Sequence, residues 1–307
     1  MYRLKTPARR VGEVLSALAE GLSVGAAVRV FGHGEFTIRT WLTRAGLHAT
    51  TLHERLFRNL KLLHVQLDEL CTKTRKDADA LWVWFAVDSH TKIIAVLKIG
   101  PRTQHMAHSV VHAIVKVLAP DWLPIFTSDG LKLYFYALTA HFGSWVETVG
   151  HQTRHWQVHA QLLYGQVIKL YRRRRLVRVE RRALLGSRDQ LTAALQTSGE
   201  SGAIQTAYVE RLNLTVRQAV AALTRRTGGI AQSPGELTLH LEWWRGYYHF
   251  VRPHNSLSEP FVEPRLRAGK HLPQRFRSRT PAQAVGLTDH RGTIIELLSY
   301  PLTRTVG

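Results

Sequence analysis

The segment L-W-V-W-F-A-V-D-S-H-T-K-I-I-A-V-L-K-I, residues 81–99, contains two apolar runs joined by a polar turn. The first run, residues 81–87, is apolar throughout, which is typical of a buried strand. The turn at 88–91 consists of Asp, Ser, His and Thr, and residues 92–99 predict the returning strand. Helical and strand patterns follow this hairpin, so the sequence favours an α/β fold with a mixed sheet.

Periodic patterns on both sides of the hairpin extend the predicted sheet. Leu63, Val65 and Leu67 alternate with polar residues, which predicts a strand that ends near Asp68. A helix between two strands of one sheet makes a parallel crossover, and the downstream patterns contain one. They predict a helix over 105–118, a strand over 123–127 and a helix over 131–142.

The second half of the chain has a less regular pattern. Residues 150–202 interrupt the alternation of strands and helices, and we interpret them as an inserted, β-rich and strongly basic element. A long helix over 203–226 and an aromatic-rich helix over 235–250 follow. The segment 251–307 contains six prolines and is expected to be mostly extended or irregular.

The first 48 residues predict three short amphipathic helices with a Gly-His-Gly turn at 32–34 before the third. Their predicted inward stripes are Val11, Val14, Leu15 and Leu18; Val24, Ala27, Val28 and Phe31; and Ile38, Trp41, Leu42 and Ala45. The third helix would present Thr37, Arg39, Thr40 and Arg44 outward. A polar, basic last helix after such a turn is typical of a helix-turn-helix that binds DNA, although any small three-helix bundle shares the apolar pattern.

The charge of the chain indicates a polyanionic partner. Its 307 residues include 42 Lys and Arg against 22 Asp and Glu, a net charge of +20 and a pI near 10.8. Such a surplus favours nucleic acid, because each neutralised phosphate releases counterions, and a peripheral membrane protein is the weaker alternative. The single cysteine excludes a disulfide framework, and no apolar run has the length of a membrane span or a signal peptide. We therefore expect a cytoplasmic protein.

Three carboxylates occupy positions suited to phosphoryl transfer: Asp68 on the first strand, Asp129 after the strand at 123–127, and Glu210 in the long helix. Carboxylates from two strand ends and a covering helix can hold two divalent cations about 3.5–4 Å apart. In the helix, Asn213 and Arg217 share the face of Glu210, and apolar residues occupy the opposite face.

Other polar residues have ordinary structural interpretations. Asp88 lies in a turn, where Asp is a good turn former, and Glu69 is expected to point to the opposite strand face from Asp68. Cys71 is expected to be a small buried filler. The histidines with helical spacing, His105, His108 and His112 and the trio His151, His155 and His159, are expected mainly to face solvent or phosphate instead of a metal. The aromatic residues of the last helix, Trp243, Trp244, Tyr247 and Tyr248, are expected to be core rather than contacts to flipped bases.

Four motifs together resemble bacterial insertion-sequence transposases of the DDE type, in particular the group with an upstream helix-turn-helix. They are V-Q-L-D-E-L (65–70), F-T-S-D-G-L (126–131), Y-V-E-R-L-N-L-T-V-R-Q (208–218) and W-W-R-G-Y-Y-H-F-V-R-P-H-N-S-L (243–257). The likeness extends over roughly residues 5–300. The E-R-x-N-x-T-x-R-Q and R-P-H-x-S-L patterns are specific, and the two Asp motifs are less so.

The resemblance implies a ribonuclease H-like mixed sheet with a basic β-rich insertion, preceded by an all-α helix-turn-helix domain. The corresponding domains are 1–48 (helix-turn-helix), 49–60 (linker), 61–250 (catalytic domain, with 150–202 inserted) and 251–307 (C-terminal extension). It also implies that Asp68, Asp129 and Glu210 bind two Mg²⁺ or Mn²⁺ ions. The expected partner is double-stranded DNA, both the terminal repeats of the element and the target. The residues expected to contact that DNA are Asn213, Arg217 and the arginine run Arg172, Arg173, Arg174 and Arg175.

A transposase handles two element ends together, so a homo-oligomer, at least a dimer on DNA, is expected in a bacterial, nucleoid-associated setting. Two departures from the family stand out. Glu210 follows Asp129 by 81 residues, a longer interval than in many such enzymes, and the chain begins at the helix-turn-helix without the cysteine-rich zinc ribbon of many relatives, as a shortened form would. The alternatives are a host-adopted DNA-binding regulator that lost catalysis and a plain ribonuclease H-like nuclease.

Overall fold

The chain divides into two compact units, seen in a computed structural model that describes residues 5–75, 80–147, 153–224, 231–266 and 272–302. We call residues 57–215 the sheet unit, and residues 1–56 together with 216–307 the helical unit. This division differs from the domain boundaries expected from the sequence, because the helix expected over 235–250 belongs to the helical unit.

The helical unit begins with α1 (Ala8–Ala19), α2 (Val24–Phe31) and α3 (Glu35–Leu56). The Ser23 hydroxyl accepts a hydrogen bond from the amide of Ala26 and so caps α2, and Gly32 ends it with a φ of 72°, a value that favours glycine. Every residue of the predicted stripes on α1 and α3 is buried. The stripe on α2 is wrong in part, since only Ala27 is buried. α3 continues to Leu56, so most of the expected linker at 49–60 is helix.

The sheet unit opens with an antiparallel meander of β1 (His64–Thr72), β2 (Leu81–Asp88) and β3 (Ile94–Gly100). α4 (Gln104–Val117) then leads to β4 (Ile125–Asp129), which pairs parallel with β1, and α5 (Leu133–His141) follows. This arrangement confirms the predicted hairpin, the parallel crossover and a mixed α/β sheet. The first strand is longer than expected and continues to Thr72.

The interpretation of residues 150–202 as an insertion is wrong in part. β5 (Gly143–Glu147) and β6 (Arg154–Val158) form a separate hairpin. However, β7 (Tyr164–Arg172) pairs parallel with β4, and β8 (Arg175–Leu185) pairs antiparallel with β7, which gives a six-stranded sheet of order β3-β2-β1-β4-β7-β8. The first four residues of β7 are buried and the last four are exposed, so one strand contains both sheet core and a solvated hairpin.

Two helices follow the strands of the sheet unit, and the second continues past residue 215 into the part of the chain that belongs to the helical unit. α6 (Arg188–Thr197) buries Leu191 and Leu195 against Ile125 and Val167 of the sheet. α7 (Ala207–Ala219) is shorter than the helix expected over 203–226 and is followed by a single 3₁₀ turn, Ala221–Leu223. The predicted apolar face of α7, which includes Val209, Leu212 and Val216, is buried.

The helical unit ends with α8 (Pro234–Phe250), a hairpin of β9 (His254–Arg265) and β10 (Gln274–Arg279), and the short helices α9 (Pro281–Ala284) and α10 (Ile294–Ser299). The expectation of a mostly extended or irregular segment over 251–307 is therefore confirmed for the described residues, where the two extended strands are the main elements and α9 and α10 are short. α8 packs on α3, and a Cβ atom at Gly46 would lie 2.3 Å from the carbonyl oxygen of Leu239, so this close approach requires glycine.

Candidate metal centre

Asp68 and Asp129 lie side by side on neighbouring parallel strands. The register pairs Gln66 with Thr127 and Leu67 with Ser128, so the next residues along the two strands are Asp68 and Asp129. Asp129 is the last residue of β4, which places both side chains where the sheet opens to solvent. The structure therefore brings together two of the three carboxylates that the sequence singles out.

Glu69 joins this pair through its oxygen atoms, while its other neighbours fit the expected opposite strand face: Arg102 and Tyr134 lie beside Glu69, whereas Asn213 of α7 lies beside Asp68. One carboxylate oxygen each of Asp68, Glu69 and Asp129 lies within 4.8 Å of the others, and we call these three residues the carboxylate cluster. β4 ends level with Asp68, so β1 has no neighbour on that side at Glu69. The longer Glu side chain can therefore bend into the gap beyond the end of β4.

The carboxylate of Glu69 is held in a buried position. Its side chain is 1% exposed, and Oε2 accepts a hydrogen bond from Nε of Arg102 at 3.2 Å and forms an ion pair with Nη2 of the same residue at 3.1 Å. The buried Tyr134 hydroxyl also lies beside this carboxylate and acts to lower the Glu69 pKa. A carboxylate buried to this extent is costly unless its charge is balanced, and a bound cation would balance it.

The electrostatics of the carboxylate cluster indicate a missing positive charge. Burial, with the nearby charge of Asp129, raises the pKa of Asp68 to about 6. Burial, with the charges of Asp129 and Asp68, likewise raises the pKa of Glu69 to about 7. The Arg102 guanidinium pairs with Glu69 and lies 4.0 Å from Asp129. This single counter-charge does not cancel the repulsion, because both pKa values stay raised.

α7 covers the carboxylate cluster because β1 itself caps this helix. The side-chain oxygen of Gln66 accepts hydrogen bonds from the backbone amides of Tyr208 and Val209, at 3.0 and 3.1 Å, in the first turn of α7. These amides have no partner within a helix, so Gln66 satisfies them and fixes the helix start over β1. One turn further, Asn213 Nδ2 donates a 2.7 Å hydrogen bond to Asp68 Oδ2.

Glu210 lies beside the carboxylate cluster, but its carboxylate pairs elsewhere. It accepts a 2.6 Å hydrogen bond from the hydroxyl of Thr206, and both of its oxygens accept from Lys169 Nζ, at 2.6 and 2.5 Å. Its negative charge contributes to the raised pKa of Asp68. Glu210 therefore faces the cluster as the helical face predicts, and Lys169 supplies the positive charge next to it.

Sequence reasoning missed Gln66, Lys169 and Arg102 and demoted Glu69. The V-Q-L-D-E-L motif contained a signal for two of them, because Gln66 shares the strand face of Asp68 and Glu69 adjoins it. Lys169 had no signal of its own, since its place beside Glu210 depends on the pairing of β7 with β4.

The residues expected to read DNA differ in how accessible they are. On α3, Arg44 is exposed, whereas Thr37, Arg39 and Thr40 are partly buried. Arg39 forms ion pairs with Glu35 and Glu236, so its guanidinium is already engaged within the helical unit. Arg217 is partly buried near the end of α7.

The arginine run forms the tip of the β7–β8 hairpin and is fully exposed. Arg173 and Arg174 occupy the turn with φ values of 50° and 65°. Two-residue hairpin turns with positive φ at both positions favour Asn and Gly, so arginine is a strained choice here. The hairpin tip therefore exposes four arginines to solvent, although two of them occupy turn positions that favour other residues. The four are Arg172, Arg173, Arg174 and Arg175.

The remaining candidates divide between structural and exposed positions. Asp88 accepts hydrogen bonds from the amides of Leu63, His64 and Thr91 and the Thr91 hydroxyl, which confirms a turn former. The four aromatic residues of α8 are buried, as expected for core. Cys71 is exposed, so its interpretation as a buried filler is wrong. Of the second histidine trio, His151 lies outside the described residues.

Comparisons with known proteins do not identify the chain: no protein family model matches it, and no curated protein matches it. Among the described residues, no helix has both the length and the apolar character needed to cross a membrane.

Proposed function

We propose that the protein is a DNA transposase that cleaves DNA at the ends of an insertion element and joins the 3′ end to target DNA. The observation that carries this proposal is the pair of carboxylates, Asp68 and Asp129, on adjacent parallel strands beneath a helix that presents Glu210 and Asn213. Carboxylates from two strand ends and a covering helix can hold the two divalent cations of a phosphoryl-transfer centre. The proposal includes a ribonuclease H-like fold for the sheet, which the resemblance to DDE-type transposases implies.

The residues of the carboxylate cluster fit divalent cations. Hard cations such as Mg²⁺ and Mn²⁺ prefer carboxylate oxygens, and the cluster offers three carboxylates, one of them almost fully buried. Asp68 and Asp129 would hold two Mg²⁺ or Mn²⁺ ions, with Glu210 as the third expected ligand residue. When bound, such a pair of ions activates a water or a 3′-hydroxyl and stabilises the leaving oxygen of an in-line displacement.

The surrounding residues position these carboxylates. Asn213 donates to Asp68 and thereby orients the carboxylate that faces α7. Arg102 restrains Glu69, and Lys169 balances the charge of Glu210. Hydrogen bonds of this kind fix the direction of ligands, and their loss typically weakens metal affinity or activity about 10–100-fold.

The cationic surfaces support DNA as the substrate. The exposed arginine tip of the β7–β8 hairpin offers four charges for phosphates, and α3 presents the exposed Arg44 at the surface of the helical unit. Phosphate contacts position a protein on DNA, whereas a helix in the major groove reads the sequence. We assign the first task to the hairpin and the second to α3. A dimer or larger oligomer would bring two element ends together.

The test is incubation of purified protein with Mg²⁺ and DNA that carries the repeats flanking the element, with cleavage mapped at nucleotide resolution. The proposal expects Mg²⁺-dependent nicks at the element ends, followed by joined products. Sequence-specific binding without any cleavage would instead identify the alternative, a DNA-binding regulator. Cleavage at random positions in any duplex would indicate a plain nuclease.

A further inference from the structure

Three histidines meet where α4 packs against α5, away from the residues assigned to DNA cleavage. His108 and His112 lie one turn apart on α4, and His141 is the last residue of α5. The ring centroid of His141 lies 5.6 Å from that of His108 and 5.7 Å from that of His112. The sequence pattern had grouped His108 and His112 with His105, and only the fold adds His141.

These distances match the needs of a tetrahedral metal ion. With Zn–N bonds of about 2.0–2.1 Å, imidazole rings around one zinc ion have centroids roughly 5 Å apart. Two histidines at positions i and i+4 of a helix are a common way to supply two such ligands. The carboxylate cluster is the only group in the described residues whose ligand atoms already lie within 4.8 Å. The ligand nitrogens of the three histidines are therefore farther apart than this, and the imidazoles would have to rotate to close around an ion.

His141 is already held as a metal ligand would be. Its Nδ1 lies 2.8 Å from the carbonyl oxygen of Ala137, one turn earlier in α5. A proton on Nδ1 makes this hydrogen bond and leaves the lone pair of Nε2 available. Metal-binding histidines typically donate their second ring nitrogen to a backbone carbonyl in this manner.

We propose that His108, His112 and His141 form a binding site for one divalent transition metal ion, zinc in the first instance, with water as the fourth ligand. The ion would join α4 to α5. α4 follows Arg102 in the chain, and α5 follows Asp129. α5 also contributes the Tyr134 hydroxyl beside Glu69. An ion that joins the two helices would therefore stabilise the residues around the carboxylate cluster. The proposal does not depend on the transposase activity.

The positive charges around the three histidines have two opposite effects on metal binding: they favour neutral imidazole, and they repel the metal ion. Burial lowers the pKa of His108, and the charges of His141 and His105 add to this effect. Burial likewise lowers the pKa of His112, with further contributions from the charges of Lys116, His141 and Lys98. Neutral imidazole is the form that binds metal. The same lysines repel a cation, so removal of Lys116, which is exposed, should strengthen metal binding.

Zinc binding to the full-length chain is measured by isothermal titration calorimetry with excess Mg²⁺ present, and Co²⁺ absorption reports the geometry. We expect one Zn²⁺ per chain and the visible absorption of tetrahedral Co²⁺. His112→Ala and His141→Ala should each weaken zinc binding at least about tenfold. The matched control His105→Ala and the cluster variant Asp129→Asn should retain it, and Lys116→Gln should tighten it.

His112 is exposed, so His112→Ala decides the matter even if His141→Ala fails to fold, and circular dichroism verifies folding. The proposal is overturned if the wild-type chain binds no zinc at micromolar concentration. It is equally overturned if His112→Ala binds zinc as tightly as the wild type, or if Asp129→Asn abolishes binding, which would place the ion in the carboxylate cluster.

Discussion

Lys169 Nζ bonds both carboxylate oxygens of Glu210, at 2.6 and 2.5 Å, across the space between β7 and α7. Glu210 is the residue that the helical motif marks as a metal ligand, yet its charge is already balanced by a lysine. A cation that approaches the carboxylate cluster meets this ammonium as a competitor. Lys169 therefore bears directly on how tightly the site binds metal.

We expect Lys169→Met to tighten Mg²⁺ binding about fivefold, since a unit charge at about 4 Å contributes roughly 1 kcal/mol even in water. Calorimetric titration with Mg²⁺ measures the change. Lys132→Met, which removes an exposed lysine at the start of α5, is the control and should leave the affinity unaltered. Weaker Mg²⁺ binding by Lys169→Met would show that the lysine organises the site instead of competing for it.

Asp129→Asn should abolish strand cleavage and leave DNA affinity unchanged or slightly higher. The variant loses a metal ligand, but it also removes a negative charge that repels phosphate when no metal is bound. Cleavage assays in Mg²⁺ and fluorescence anisotropy with the same duplex measure the two effects. Asp121→Asn, an exposed turn residue of the sheet unit, is the matched control. Cleavage at the wild-type rate by Asp129→Asn would contradict the role assigned to this carboxylate.

The metal-free protein should lose stability as the pH rises from about 4 to about 7, because Asp68 and Glu69 lose their protons over this range. The folded-state pKa values of Asp68 and Glu69 are raised to about 6 and about 7, so the folded protein holds these protons more tightly than the unfolded chain. Their stabilising effect is complete below the unfolded pKa values and disappears as the pH rises through the folded ones. Mg²⁺ should restore the stability at high pH.

Thermal unfolding in EDTA, with and without added Mg²⁺, measures this dependence. Histidines elsewhere in the chain also titrate in this pH range, so the free energy of unfolding of the wild type is compared with that of Glu69→Gln. The difference between the two proteins reports on the carboxylate cluster alone. In EDTA at about pH 8, Glu69→Gln should be the more stable protein by on the order of 1 kcal/mol or more, because one pKa unit corresponds to about 1.4 kcal/mol. Identical pH profiles for the two proteins would remove the electrostatic argument for a cation site.

Asn213→Ala should reduce cleavage about 10–100-fold while DNA binding stays the same. The change removes the 2.7 Å hydrogen bond that orients Asp68 and leaves α7 otherwise intact. Gln218→Ala removes an exposed amide from the same helix and serves as the control. Equal cleavage rates for the two variants would mean that Asp68 needs no orientation by Asn213.

The hairpin tip should bind DNA without sequence preference. Replacement of all four arginines at 172–175 by alanine should flatten the slope of log affinity against log salt by up to about 3–4 units, equally for cognate and random duplex. Arg173→Asn with Arg174→Gly should flatten it by up to about 2 units. This pair also suits the turn, so the double variant should unfold at a higher temperature than the wild type. An unchanged slope in both variants would show that the tip does not contact DNA.

Sequence preference should depend on Arg44 rather than Arg39. Arg44→Ala should lower the preference for cognate over random duplex by about 1–3 kcal/mol if it contacts a base. Arg39 is paired with Glu35 and Glu236, so Arg39→Ala should mainly reduce the stability of the helical unit. Competition binding and thermal unfolding separate the two effects, and the reverse pattern would mean that Arg39 leaves its ion pairs to read DNA.

Short-range patterns predicted much of the fold. The apolar run at 81–87, the helices on either side of β4 and the buried stripes of α1 and α3 all follow from periodicity within one element. Asp68 and Asp129 were found for the same reason, because each comes at or near the end of a predictable strand. Gly46 against Leu239 and the packing of α8 on α3 had no local signal, since they depend on residues almost 200 positions apart.

Pairing between distant strands explains the main errors. β7 reads as an insertion because its outer half is solvated, and only its register with β4 reveals it as part of the sheet. The same register brings Lys169 to Glu210. Glu69 was passed over as a ligand because alternation places it on the opposite strand face from Asp68. However, β4 stops at Asp129, and one oxygen from each of the three carboxylates lies within 4.8 Å of the others.

The most direct test of the central claim is a crystal structure of the protein with DNA and Mn²⁺, with the ions located by anomalous scattering. The account predicts two peaks about 3.5–4 Å apart, bound by Asp68 and Asp129, with the Glu210 carboxylate released from Lys169 and turned toward them. Peaks confined to other parts of the protein, or an empty carboxylate cluster in the presence of DNA and saturating Mn²⁺, would contradict it.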